Sequence, residues 1–121
     1  MSPTIMVVTG DDERRNVLLE TLNGAGYVAS GASTFAEAKQ LLETRSPDLV
    51  IADERLGPFN GLHVIVVGRA HHPSLKAIVT SQVKDKGLEN DAKRLNVLCL
   101  VQPIQPADWL ASISETLQLV H

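Results

Sequence analysis

Pro47-Asp48-Leu49-Val50-Ile51-Ala52-Asp53 is the stretch on which the fold turns. Its four central residues are all apolar, with no polar residue at alternate positions. A strand with one wet face would alternate, so this one is expected to be buried on both faces, as in a parallel sheet covered by helices. Its last residue is a carboxylic acid emerging from the apolar run. Ile5–Val8 (IMVV), Ala77–Val79 (AIV) and Val97–Val101 (VLCLV) repeat the apolar pattern, and Tyr27–Ala29 repeats it more weakly.

The segments between these runs carry helical spacing. Val17, Leu18, Leu22 and Ala25 form one inward stripe, with Gly24 and Gly26 as the stop. Phe35, Ala38, Leu41 and Leu42 form a second, opened by the capping box Thr34-Phe35-Ala36-Glu37. A third helix over about Gly61–Ala70 turns Leu62, Ile65 and Val66 inward. The fourth, about Val83–Leu95, has a thin apolar set (Val83, Leu88, Ala92, Leu95) and a Lys-rich outer side. The last begins at Pro106, a favourable first helical residue, and carries Trp109 or Leu110, Ile113 and Leu117 inward. The order βαβαβαβαβα predicts an α/β fold, a doubly wound five-stranded parallel sheet with five helices.

Composition narrows the function classes. One domain spans residues 1–121, with 8 Gly and 6 Pro, too few for a linker or low-complexity segment. Eleven basic residues against 14 acidic ones give a net charge of −3, which argues against direct nucleic-acid binding or an anionic membrane surface. The aromatics are only Tyr27, Phe35, Phe59 and Trp109, so base-stacking platforms are not expected. The single cysteine, Cys99, excludes an internal disulfide and a cysteine-based metal site, and reads as a small buried hydrophobe. With no signal peptide and no apolar run near the ~20 residues of a membrane span, a cytoplasmic location is expected. No glycine-rich phosphate loop follows a strand, and no serine has a His/Asp pair at recognisable spacing, so an enzyme is not expected.

In a doubly wound sheet the functional crevice lies beyond the C-terminal strand ends. The loops there hold Thr9, Gly10, Asp11, Asp12 and Glu13, then Asp53, then Thr80 and Ser81, then Gln102 and Pro103. Asp53 is the informative residue. A carboxylate leaving a buried central strand is costly unless it is paired, bound to metal or used as a nucleophile. The plain alternative is that it caps the next loop. Likewise Asp11, Asp12 and Glu13 either reach the crevice or only complement the dipole of the first helix. His63, His71 and His72 have no acid or cysteine at ligand spacing and are expected to be solvated.

These residues resemble the receiver domains of two-component response regulators. Pro47–Asp53 resembles the segment that ends in that family's phosphoacceptor aspartate. Gly61 follows eight residues later, as the family's loop glycine does, and Gly26-Tyr27 stands where the family has its Gly-aromatic pair. Thr80 and Gln102-Pro103 fall where the family places its Ser/Thr and its Lys-Pro. The resemblance covers nearly the whole chain and implies a flavodoxin-like, receiver-type fold. It further implies phosphoryl transfer to Asp53 from a histidine kinase or phosphotransfer protein, with Mg²⁺ assisting. Thr80 would contact the phosphoryl group, and Asp53, Asp11 and Asp12 would hold the metal. An effector domain, a partner protein or a second copy of the chain would dock on the fourth and fifth helices.

The departures from the family concern chemistry more than fold. Gln102 replaces the family lysine, removing an attraction of about 1–4 kcal/mol between unit charges at ~4 Å. Ungapped counting from Gly26-Tyr27 puts Thr9 and Gly10, not Asp11 and Asp12, on the metal-binding acids; a short slip in the loop would restore the acids. Cys99 stands where the family keeps its switch aromatic. Leu56-Gly57-Pro58 carries its proline one place late, and Leu95-Asn96 replaces a Gly-Ala pair. The competing readings are a pseudo-receiver that acts by phosphorylation-independent contacts, and a flavodoxin-like small-ligand binder.

Overall fold

The computed structural model of the chain describes residues 2–118; Met1 and residues 119–121, the ends of the expected 1–121 domain, lie outside them. The elements run β1 (Thr4–Val8), α1 (Asp12–Gly24), β2 (Val28–Ala32), α2 (Phe35–Thr44), β3 (Leu49–Asp53), β4 (Arg55–Leu56), β5 (Phe59–Asn60), α3 (Gly61–His71), β6 (Lys76–Ser81), α4 (Lys86–Arg94), β7 (Leu98–Val101) and α5 (Pro106–Gln118). Five parallel strands form one sheet in the order β2-β1-β3-β6-β7. The doubly wound reading therefore holds, and the switch point lies between β1 and β3.

Burial on both faces holds for the three inner strands. Met6, Val8, Val50 and Ala52 point to one side, into a cluster with Ala38 and Leu42 of α2 and Val64 of α3. Ile5, Val7, Leu49, Ile51 and Ile78 point to the other, against Leu18 and Leu22 of α1 and Trp109 and Ile113 of α5. Ala77 and Val79 meet Leu62 and Ile65 of α3 and Leu88 and Ala92 of α4. The expectation fails for Val97–Val101, since β7 is an edge strand with Leu98 and Val101 exposed. An apolar run does not reveal whether its strand has one neighbour or two.

Three helix stripes need correction. In α1, Leu18 and Leu22 are buried, while Val17 is 55% exposed and Ala25 lies past the helix end. In α3 the buried set is Gly61, Leu62, Val64, Ile65 and Gly68, and Val66 faces outward. Its inner ridge follows the i, i+3, i+4, i+7 rule from Gly61, which two glycines obscure. Helix α4 starts at Lys86 because Asp85 accepts the Leu88 amide at 3.1 Å, leaving Val83 exposed in the preceding loop.

The loop after Asp53 folds into a short antiparallel hairpin, β4–β5, that was not foreseen. Its Leu56 is buried, and Phe59 stacks on Phe35 of α2 with ring centroids 4.3 Å apart. Gly57, at φ +63, makes the turn. Asn96, at φ 56, is the left-handed residue after α4. Asparagine tolerates that conformation, so the chain turns at Leu95-Asn96 without a glycine. Of the histidines, His63 and His71 are exposed, but His72 hydrogen-bonds the Leu42 and Arg45 carbonyls at 3.2 and 2.8 Å and so ties α3 to the end of α2.

Two side-chain requirements follow. A Cβ at Gly61 would lie 2.2 Å from the Asp53 carbonyl oxygen, so α3 can start against β3 only with glycine there. Gly61→Ala is expected to destabilise the fold by about 1–3 kcal/mol, the usual cost of overpacking; an unchanged urea midpoint contradicts this. Arg69 donates to the Leu75, Leu95 and Asn96 carbonyls, joining α3 to the ends of its neighbours, and burial lowers its pKa. Arg69→Met is expected to cost about 1–3 kcal/mol by stranding those acceptors, read as a lower thermal midpoint.

Candidate functional site

Sheet register assembles the site. Asp53 pairs with Thr80 across β3–β6, and Val8 pairs with Ala52 across β1–β3, so Thr9 follows its strand to Asp53's other side. The Thr80 hydroxyl donates to Asp53 Oδ1 at 2.6 Å. The Thr9 hydroxyl donates to Oδ2 at 2.5 Å, and Arg14 Nη2 donates to the same oxygen at 3.0 Å. Both threonines are buried, and the Asp53 side chain is 16% exposed. A polar group so enclosed needs hydrogen-bond partners of this kind.

Arg14 is placed by the start of α1. Asp11 is the N-cap, and its Oδ1 accepts the Arg14 backbone N–H at 2.9 Å. Asp11 Oδ2 lies 3.3 Å from Arg14 Nε, an ion pair without hydrogen-bond alignment, and that Nε is sealed from solvent. The Arg14 backbone N–H, and then its guanidinium, hold the Asp11 carboxyl below its ordinary pKa. Asp12 projects outward and pairs with Arg15 at 2.5 Å, while Arg15 Nη1 also donates to the Thr9 carbonyl at 2.7 Å. Glu13 is exposed at the rim. The carboxylates of Asp11 and Asp12 are thus engaged by arginines of α1, and Thr9 is the residue that reaches Asp53, as the ungapped register implies.

Gln102 leaves β7 with its backbone N–H on the Ser81 carbonyl at 2.8 Å, and its peptide bond to Pro103 is cis. It borders a cavity of about 240 Å³ between α1 and α5, whose walls include Val7, Thr9, Arg14, Ile104 and Trp109, and which opens onto Asp53 and Thr80. Cys99 is half-buried, not buried, because it lies on the edge strand; burial raises its thiol pKa. Nothing about it can act as an aromatic switch.

The donor set does not match a divalent cation. Among the described residues no three His, Cys, Asp or Glu side chains gather as a metal site. The Oδ2 of Asp53 already accepts two donors, one of them cationic. Mg²⁺ requires near-octahedral oxygen ligation.

Sequence reasoning brought Asp53, Thr80 and Gln102 to one crevice and missed Arg14. A signal existed. Once Thr9 takes the acid position, Asp11 becomes a helix cap, and a cap with an arginine three residues on places that guanidinium over the loop below.

Comparison with known proteins gives the family to which this fold belongs. A family model described as the response regulator receiver domain matches residues 5–114. The chain is 30% identical over 81 residues, 67% of its length, to the DNA-binding transcriptional regulator NtrC of Escherichia coli (strain K12). It is 29% identical over 76 residues, 63% of its length, to the photosynthetic apparatus regulatory protein RegA of Cereibacter sphaeroides. These alignments span 17% and 41% of those relatives. Its structure superimposes on a CheY-like receiver domain from Methanospirillum hungatei with a TM-score of 0.91 at 20% identity, covering 98% of this chain and 96% of that one. With a family match over most of its length and the fold to go with it, the chain belongs to the response regulator receiver domains, the modules of phosphorelay signal transduction.

Proposed function

We propose that this domain accepts a phosphoryl group on Asp53 from a phosphohistidine donor, a histidine kinase or phosphotransfer protein. The observation that carries this is the Asp53–Thr80 hydrogen bond: a nucleophilic carboxylate and a hydroxyl meet at the C-terminal edge of the sheet, beside an open cavity. Oδ1 is the attacking oxygen, because it is held by one neutral hydroxyl, whereas Oδ2 is held by Thr9 and Arg14. The Oδ1–P bond forms as the donor's P–N bond breaks. The electron pair of that bond returns to the imidazole nitrogen, and because the donor ring carries a proton on its other nitrogen, it leaves as neutral imidazole. Thr80, displaced from Oδ1, turns its hydroxyl to a phosphoryl oxygen.

Gln102 can donate a hydrogen bond to the phosphoryl group but brings no charge, so the acyl phosphate is held less firmly than a lysine would hold it. The domain is a signalling module, not an enzyme acting on an external substrate, and an effector domain or partner reads its state through α4 and α5. The Asp53–Thr80 pair is what favours this over a contact-only module. No described helix is long and apolar enough to cross a membrane, and a phosphohistidine donor places the domain in the cytoplasm.

Incubation with acetyl phosphate or a phosphohistidine donor should add one phosphoryl group by intact-protein mass spectrometry, and Asp53→Asn should abolish it. Modification that persists in Asp53→Asn sinks the reading. Gln102→Lys should lengthen the lifetime of the acyl phosphate by roughly tenfold, the scale of one restored charge pair.

A further inference from the structure

We infer that Arg14 supplies, from within the chain, the positive charge at Asp53 that a divalent cation supplies elsewhere in the family, so that this site works without Mg²⁺. The inference rests on the phosphoacceptor reading above and concerns how that acceptor is neutralised.

Three observations converge. First, the position facing Asp53 from the end of β1 is a neutral hydroxyl, Thr9, where the family has an acid; its hydrogen bond to Oδ2 is 2.5 Å long. A hydroxyl donating its proton to the carboxylate offers a cation far less than a second carboxylate does. Second, the acid that stands closest in sequence, Asp11, is committed to Arg14 twice, through the helix cap at 2.9 Å and the ion pair at 3.3 Å. What could have been a metal ligand has become the holder of a guanidinium. Third, Arg14 Nη2 sits 3.0 Å from Oδ2, the Asp53 oxygen that Thr80 does not occupy. Inserting Mg²⁺ would displace this donor and set a doubly charged ion against a half-buried guanidinium.

The charges also suit the proposed product. A phosphoryl group carries up to about two negative charges near neutral pH. With Gln102 uncharged, Arg14 is the cation whose guanidinium already touches the acceptor. An arginine fork can keep one N–H on Oδ2 and turn another to a phosphoryl oxygen, a geometry a single point charge does not offer.

The test uses the intact chain, acetyl phosphate as donor, and two readouts: phosphorylation rate in excess EDTA against excess Mg²⁺, and amide shifts of Thr9, Asp53 and Thr80 during a Mg²⁺ titration. The wild type should react at rates within about twofold in the two conditions, and its site amides should show no saturable Mg²⁺ response. Arg14→Ala should slow the EDTA reaction by roughly tenfold or more, with Arg14→Lys recovering part of it. The double change Thr9→Asp with Arg14→Ala should make the reaction Mg²⁺-dependent and produce saturable shifts. A wild-type reaction that stops in EDTA, or saturable Mg²⁺ shifts at Asp53, overturns the inference while leaving the phosphoacceptor reading intact. If the wild type does not react at all, the phosphoacceptor reading fails, and the Mg²⁺ titration alone decides whether Arg14 excludes the cation. Misfolding of Arg14→Ala would show in the amide spectrum, and the wild-type comparison stands without that variant.

Discussion

The carboxylate of Asp53 is the constraint around which the C-terminal edge of the sheet is arranged. It leaves a strand whose preceding residues are sealed on both faces, so water cannot solvate it freely. Its charge must be met by donors within reach, and the sheet order brings them: β1 on one side delivers Thr9, β6 on the other delivers Thr80. The same closeness dictates backbone chemistry nearby. Helix α3 begins so near the Asp53 carbonyl that only a glycine fits at position 61. The hairpin β4–β5 carries the chain away from the acid and back to that glycine, anchored by buried Leu56 and by Phe59 on Phe35.

Most of the fold was legible because inner strands and helix caps leave direct marks. IMVV, LVIA and AIV are apolar at every position since each has neighbours on both faces. Of the Thr34–Glu37 box one half forms, the Thr34 hydroxyl accepting the Glu37 N–H at 3.1 Å, while the Glu37 side chain accepts the Ser33 N–H at 2.8 Å instead of that of Thr34. What escaped were features decided by neighbours instead of by the segment itself. VLCLV looks like an inner strand, yet its place at the sheet edge follows from the winding and leaves Leu98 and Val101 exposed. Val17 and Val66 are apolar and look inward-facing, but the inner ridges of α1 and α3 run through Leu18–Leu22 and through Gly61–Gly68. Glycine carries no hydrophobic signal, although Gly68 is where Leu75 comes closest.

The site was legible in its fixed points and illegible in its charge. Asp53, Thr80 and Gln102 each stand at or just past the C-terminal end of a strand of the one parallel sheet, so the apolar runs locate the crevice they share. Arg14 is found only by asking which acid in Asp11-Asp12-Glu13 is free, and that depends on the cap. Asp11 caps α1, and capping spends its carboxylate on the helix's own N–H groups. A helix N-terminus favours acids, which is why three sit there. Their presence near a crevice therefore says little about metal.

Several departures from the family sequence then become one substitution of means. Where the family combines acids, a cation and a lysine, this chain has a hydroxyl, an arginine held by a helix cap, and a glutamine. Around Asp53 one cation faces two carboxylates: Arg14 is shared by Asp11 and Asp53, which leaves one net negative charge, and Thr9 and Thr80 stabilise Asp53 by donation. The added phosphoryl charge must then be met by rearranging Arg14, and Arg14 is rooted in the first turn of α1, beside the cavity that reaches α5. The cavity beside Arg14 lies between α1 and α5, whereas Gln102 follows the edge strand β7, so the cation at Asp53 comes from the opposite side of the site to the position where the family keeps its lysine.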